Sequence, residues 1–146
     1  MKISVITVSF NSEKTIERTI LSVINQNYKD FEYIIIDGKS SDSTIKICEK
    51  YSKYITKIIS EKDSGIYDAM NKGIVNASGD IISIINSDDY FTHKNCLTEV
   101  AENFSDDIDL LLGDVEIFSE ATKKKKRLYS SGIFFPFLSR FGIQPP

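Results

Sequence analysis

Three apolar runs rich in β-branched residues, at 3–8, 31–36 and 81–85, alternate with segments in which apolar positions recur at helical spacing. No other feature limits the possible folds so strongly. The first run is nearly continuous, as in a strand buried on both faces. Ser9-Phe10-Asn11-Ser12 then turns the chain, and Asn11 or Ser12 is placed to cap a helix with Glu13 in its first turn. Ile16, Ile20, Val23 and Ile24 give that helix its stripe, and Asn27 continues the spacing. The second run ends at Asp37-Gly38. Ser40-Ser41-Asp42-Ser43-Thr44, dense in capping residues, opens a second helix that Ile45, Cys48 and Tyr51 or Ser52 continue. Residues 55–60 predict a short strand and residues 61–65 a polar loop. Ile66, Ala69, Met70 and Ile74 predict a third helix stopped near Gly79. The run at 81–85 predicts a buried strand, after which Thr92 is placed to cap a fourth helix carrying Leu97, Val100, Ala101 and Phe104. Leu110, Leu111, Leu112 and residues 115–118 can form a hairpin with residues 127–129. Strands alternating with helices are the pattern of an α/β fold, a parallel sheet with helices on both faces.

The chain has 146 residues, enough for one domain and a genuine core. Its formal net charge of −3 gives no general affinity for nucleic acid. The run Lys123-Lys124-Lys125-Lys126-Arg127 is a local exception. It reads either as a solvated turn between two strands or as a patch for anionic lipid headgroups, a peripheral membrane contact. Cys48 and Cys96 fall in expected helices without metal spacing, which suits a reducing compartment without disulfides. No signal-peptide pattern opens the sequence, and no apolar run approaches the ~20 residues of a membrane span. The expected location is cytoplasmic, with the basic run as a means of reaching the inner face of a membrane. Phe134, Phe135, Phe137, Leu138 and Phe141 crowd the last residues. Either they close the domain as a short docked helix, or the sequence was cut from a longer protein and the bared aromatics favour self-association into a homo-oligomer.

Several nucleotide sites are absent: there is no G-x-x-x-x-G-K-[ST], no G-x-G-x-x-G after the first strand and no G-x-S-x-G elbow. His93 is the only histidine, which argues against His-based triads and multi-histidine zinc sites. What remains is a set of hydroxyls, amides and carboxylates at strand carboxyl ends, where open α/β sheets bind ligands. They are Ser9 and Asn11, then Asp37, then Asn86-Ser87-Asp88-Asp89. Adjacent carboxylates repel unless a cation or a proton lies between them. Asp88 and Asp89 therefore read either as part of a site for a hard cation such as Mg2+ or Mn2+ holding a diphosphate, or as caps in a solvated loop. Asp37 is placed to accept a hydrogen bond from a nucleobase or ribose, or to cap the turn that follows it.

Five stretches taken together resemble the family 2 glycosyltransferases, which have the GT-A fold, a Rossmann-like and mostly parallel sheet. They are Val5-Ile6-Thr7-Val8-Ser9-Phe10-Asn11, then Ser22-Val23-Ile24-Asn25-Gln26-Asn27-Tyr28, then residues 37–44, then Gly65-Ile66-Tyr67-Asp68-Ala69-Met70-Asn71-Lys72-Gly73-Ile74, and Ala77-Ser78-Gly79-Asp80 running into residues 86–90. The resemblance covers residues 1–118 as a nucleotide-diphospho-sugar-binding core. It leaves 119–146 as the start of an acceptor-binding region that is absent or truncated. It implies a nucleotide-diphospho-sugar donor, UDP-linked by preference, and a saccharide or lipid-linked acceptor in cell-surface polysaccharide synthesis. It further implies that Ser9 and Phe10 border the base and that Asp37 contacts base or ribose. Asp68 and Lys72 would face the nucleotide-sugar, and Asp88 and Asp89, with Asn86 beside them, would form the metal and ribose site. Two positions depart from the family pattern. Gly38 stands where many members carry a base-reading Asp, and Asn86 where many carry Asp. The general base that inverting chemistry needs has no candidate after Asp89, since Asp114 and Glu116 are expected to be structural. The resemblance puts that base beyond Pro146. The competing reading is a module that binds a nucleotide-sugar and transfers nothing.

Overall fold

The computed structural model describes residues 1–105, 107–119 and 124–129. The chain divides into two compact units, 1–103 and 104–146, whereas the sequence reading set its boundary after 118.

In the first unit, β1 (Ile3–Ser9), β2 (Phe31–Asp37), β3 (Lys57–Ser60) and β4 (Ile81–Asn86) form one parallel sheet in the order β3-β2-β1-β4. The chain moves from β1 outward to β3, then returns to place β4 on the other side of β1. The strand order therefore reverses between β1 and β4, and such a reversal opens a crevice at the strands' carboxyl ends. Every residue of β1 is buried, as its continuous apolar run requires.

Alternation along the strands divides the core. Ile6 and Val8 of β1 and Ile34 and Ile36 of β2 pack with Ala69 of α3 (Ile66–Asn76). The opposite faces carry Thr7 and Tyr33, whose hydroxyls hydrogen-bond at 2.9 Å in the interior. On that side lie α1 (Ile16–Ile24) and α2 (Thr44–Lys50), which pack on each other and bury Ile16, Ile20, Val23 and Cys48. Gly73 lets α3 press on the sheet, since a Cβ there would collide with Ile6 Cγ2.

Several boundaries differ from the sequence reading for identifiable reasons. Helix α1 starts at Ile16 after the cap position Thr15, not after Asn11 or Ser12, and Asn27 lies beyond it. Helix α3 ends at Asn76, short of Gly79. Gly79 serves close approach instead: a Cβ would stand 2.7 Å from Ser4 N and 2.8 Å from Lys2 O. Helix α4 spans Cys96–Asn103, so Thr92 caps nothing and Phe104 lies outside it. Among the described residues β4 borders the sheet, and Ile82 and Ile84 are exposed rather than buried.

The second unit contains the expected hairpin, β5 (Val115–Ser119) antiparallel to β6 (Lys124–Tyr129), with a register shift between Ile117 and Phe118. Lys124, Lys125, Lys126 and Arg127 are strand residues rather than a turn. Leu110, Leu111 and Leu112 precede the hairpin and are exposed. The aromatic cluster from Phe134 to Phe141 and the final residue, Pro146, lie outside the described residues. Among the described residues no helix is long and apolar enough to cross a membrane.

Candidate functional site

A cleft of about 970 Å³ opens at the carboxyl ends of β1 and β4, where the strand order reverses. Its walls include Ser9 at the end of β1 and Phe10, Asn11 and Ser12 after it, Gly38 after β2, Lys62 and Asp63 after β3, and Asn86 at the end of β4 with Ser87 and Asp88 after it.

One wall is made by two loops laced together. Asn11 adopts φ 48° and turns the chain sharply; Asn and Asp tolerate this left-handed region better than most residues. Its Oδ1 accepts the Ser41 amide at 2.9 Å, and its own amide donates to Ser40 Oγ at 2.8 Å. Ser12 N donates to Thr44 Oγ1, Glu13 N to Asp42 Oδ2, and Ser43 N to Glu13 Oε2. The residues that looked like helix caps therefore bind across to the neighbouring loop, which is why α1 begins late.

Asp37 anchors this arrangement from below. Its side chain is fully buried and accepts from Ser9 Oγ at 3.3 Å, Ser40 N at 2.9 Å, Ser60 Oγ at 2.7 Å and, at short range, Ser40 Oγ. One carboxylate thus ties together the ends of β1, β2 and β3. It is not part of the cleft wall, although its neighbours Ser9 and Gly38 are.

The acidic loop is held from α1. Thr19 Oγ1 shares its one proton between the carbonyls of Asp89 (2.6 Å) and Ser87 (3.0 Å), and Arg18 Nη2 donates to that of Asp88 (2.9 Å). The Arg18 guanidinium also lies 4.4 Å over the Tyr90 ring, a cation–π distance. Ser22 Oγ accepts from Phe91 N, and Gln26 bridges the His93 carbonyl and the Leu97 amide. The Ser12 and Ser87 hydroxyls pair at 2.7 Å across the reversal. Thr19 and Ser22 lie one turn apart on α1 and Gln26 follows just past its end, at i, i+3 and i+7, and this polar row beside the apolar stripe was the signal the sequence offered. The sequence reading gave neither this row nor the cleft residues Lys14, Asp42, Lys62 and Asp63 a place in the site: Ser22 and Gln26 stood only within a resembling stretch, Asp42 only as a capping residue, Lys62 and Asp63 only within a polar loop, and Lys14 and Thr19 nowhere.

Asp88 is exposed on the cleft wall. Asp89 is exposed but off that wall, and its Oδ2 accepts Asn86 Nδ2 at 3.3 Å. Partial burial, and then the neighbouring Asp88 charge, raise the Asp89 pKa above the usual carboxylate value. With its amide nitrogen turned to Asp89, Asn86 keeps Oδ1 buried and without a hydrogen-bond partner. An orphaned carbonyl oxygen beside two repelling carboxylates is a donor set that fits a hard cation. Among the described residues no three His, Cys, Asp or Glu side chains gather as a metal cluster. A cation here would take most of its ligands from phosphate oxygens and water, as Mg2+ commonly does.

Asp68 and Lys72 are not on the cleft wall. They brace the loop that is. Asp68 Oδ2 accepts Ser64 N at 3.0 Å, and Lys72 Nζ donates to the Lys62 carbonyl and pairs with Glu61 at 2.9 Å. Contact with Glu61, and then with Asp68, raises the Lys72 pKa. His93 is exposed, outside the cleft, with Nε2 3.7 Å from Glu99. Burial and then the Asp37 charge push the Cys48 thiol up to about 12, leaving it unreactive at neutral pH. The general base expected beyond Pro146 falls outside the described residues, as Pro146 itself does.

The family model described as "Glycosyl transferase family 2" matches residues 4–144. The cholesterol galactosyltransferase of Borreliella burgdorferi is 34% identical over 130 residues, 86% of this chain and 36% of that one. The Escherichia coli UDP-Glc:alpha-D-GlcNAc-diphosphoundecaprenol beta-1,3-glucosyltransferase is 30% identical over 118 residues, 80% of this chain and 47% of that one. The crystal structure of S. aureus TarS 1-349 in complex with UDP-GlcNAc superposes with TM-score 0.64 at 31% identity, over 70% of this chain and 30% of that one. The chain thus spans less than half the length of each of these proteins.

Proposed function

The chain belongs to glycosyl transferase family 2, and from that premise we propose that it binds the nucleotide-diphospho-sugar donor of a metal-dependent transferase. The preferred donor is UDP-linked. The acceptor is a saccharide or lipid-linked sugar in cell-surface polysaccharide synthesis. One observation carries the reading: the strand-order reversal opens a cleft lined by Asp88 and by Asn86, whose buried Oδ1 has no hydrogen-bond partner, together with the β1 loop. The UDP-GlcNAc complex of TarS and the UDP-glucose donor in the name of the E. coli relative support the choice of donor.

Residue roles follow from placement. Phe10, 63% exposed on the wall, offers a ring for the base, and Ser9 shapes the floor beneath it. Asp37 acts through Ser9 and Ser40 by fixing the two loops, rather than by touching the base. Asp68 and Lys72 act through the loop at 61–64. Asn86, Asp88 and Asp89 would hold Mg2+ or Mn2+. A bound divalent ion supplies positive charge against the negative charge that develops on the departing diphosphate. Lys14 and Lys62, also on the wall, add cationic charge from the protein itself. We assign the acceptor pocket and the general base to residues outside the donor cleft; the chain spans less than half the length of these relatives. The unpaired cysteines suit reaction in the cytoplasm.

Calorimetry with UDP and Mn2+ tests the reading. UDP should bind with Mn2+ and lose at least ~100-fold in affinity when EDTA is added or when Asp88→Ala is introduced, with the melting temperature unchanged. Equal affinity in all three conditions would remove the metal and Asp88 from the site.

A further inference from the structure

Gly38 and Asp63 come from different loops but compete for one place. An ideal Cβ on Gly38 would stand 2.5 Å from Asp63 Oδ2, 3.2 Å from Asp63 Cγ and 3.3 Å from Phe10 Cδ2. A side chain at 38 and the carboxylate at 63 therefore exclude each other, and the space they contest adjoins the exposed Phe10 ring. The backbone at Gly38 is not in the left-handed region, so conformation does not demand glycine there. The demand is for the room that Asp63 fills.

Asp63 is held firmly in this place. Its Oδ1 accepts the Gly65 amide at 3.0 Å, closing a local turn that the φ of 120° at Gly65 permits. Asp68 and Lys72 fix the flanking residues Ser64 and Lys62 from α3. The second oxygen, Oδ2, is left toward Gly38 on the cleft wall.

We propose that Asp63 is the specificity-determining residue for the nucleobase, supplying from the β3–α3 loop the carboxylate that position 38 lacks. The inference rests on the donor-site reading above. A carboxylate only accepts hydrogen bonds. Beside an aromatic ring on which a base can stack, it selects a base whose edge offers a ring N–H, as uracil and guanine do. Cytosine and adenine turn an acceptor ring nitrogen toward it and can meet it only through their exocyclic amino group, so they bind less well. UDP and CDP have nearly the same shape, so discrimination between them reads this edge and little else.

Binding of UDP, GDP, CDP and ADP with Mn2+ tests the assignment. The wild-type protein should bind UDP or GDP at least ~10-fold more tightly than CDP and ADP, because a site built to meet an N–H is left unpaired by a base without one. Asp63→Asn keeps an acceptor for the Gly65 amide but adds a donor at the base, and should cut that preference below ~3-fold with folding intact. Gly38→Asp combined with Asp63→Ala returns a carboxylate to the same space from the other loop and should restore the preference. A preference that survives Asp63→Asn, or that the swap fails to restore in a folded protein, overturns the assignment and leaves the donor site standing. A wild-type protein that binds no nucleoside diphosphate overturns the donor site itself.

Discussion

The two ends of the parallel sheet treat their carboxylates in opposite ways. At the amino end Glu32, buried on β2, accepts from Ser4 Oγ at 2.6 Å, Lys2 Nζ at 3.0 Å, and both the amide and hydroxyl of Ser78. Burial alone would raise its pKa, but these donors outweigh it, Ser4 foremost, and hold it down to about 2. At the carboxyl end Asp88 and Asp89 stand side by side, the Asp89 pKa is raised, and the neighbouring Asn86 oxygen has no partner. Glu32 is a fastener between β2 and the turn before β4. The acidic pair has no such set of donors and lies exposed at the mouth of the sheet, where a cation is proposed above. Asp37 shows that position alone does not decide this. It stands at the carboxyl end, yet it is satisfied from three strand ends and belongs with the fasteners.

The sharpest way to break this comparison is Asp37→Ala. It leaves the Ser9, Ser40 and Ser60 donors without their shared acceptor and should cost about 3 kcal/mol in urea unfolding. A loss below ~1 kcal/mol would deny Asp37 its fastening role. Glu32→Gln comes next, at about 1–2 kcal/mol near neutral pH, because charge-assisted bonds become neutral ones. The sign in acid follows from the lowered pKa. The Glu32 contribution is complete above the ordinary value of 4.5 and is lost as pH falls from there through about 2. The wild-type melting temperature should fall across that window, and the variant's decline should be shallower. Parallel curves would place the acid sensitivity elsewhere. Asp88→Asn should have the smallest effect, a change within ~0.5 kcal/mol in metal-free buffer and in the stabilising direction, because it relieves the charge beside Asp89. A clear destabilisation would make Asp88 a fastener too.

Much of the fold was legible because β1 and β2 carry long, consistent apolar patterns and burial follows them; α3 was legible as a helix, but it buries Ala69 and Gly73 while Ile66 and Ile74 of the expected stripe are exposed. The loops were less legible because Asn11, Ser12, Glu13, Asp42 and Thr44 are all good capping residues. Whether such a side chain closes its own helix or crosses to another loop depends on a neighbour some thirty positions away. The acidic stretch was visible from its place after β4. Asp37 was visible as a strand-end residue, but its burial is set by serines on three loops. Asp63 gave no sign at all, since its meaning lies in the missing side chain at Gly38.

The grip of α1 and the turn after it on residues 87–93 engages main-chain oxygens: Thr19, Arg18 and Gln26 reach the carbonyls of Ser87, Asp88, Asp89 and His93. Those oxygens are the same whatever amino acid bears them. Evolution can therefore exchange the side chains at 88 and 89, retuning the charge they present, while the cord that suspends them stays tied.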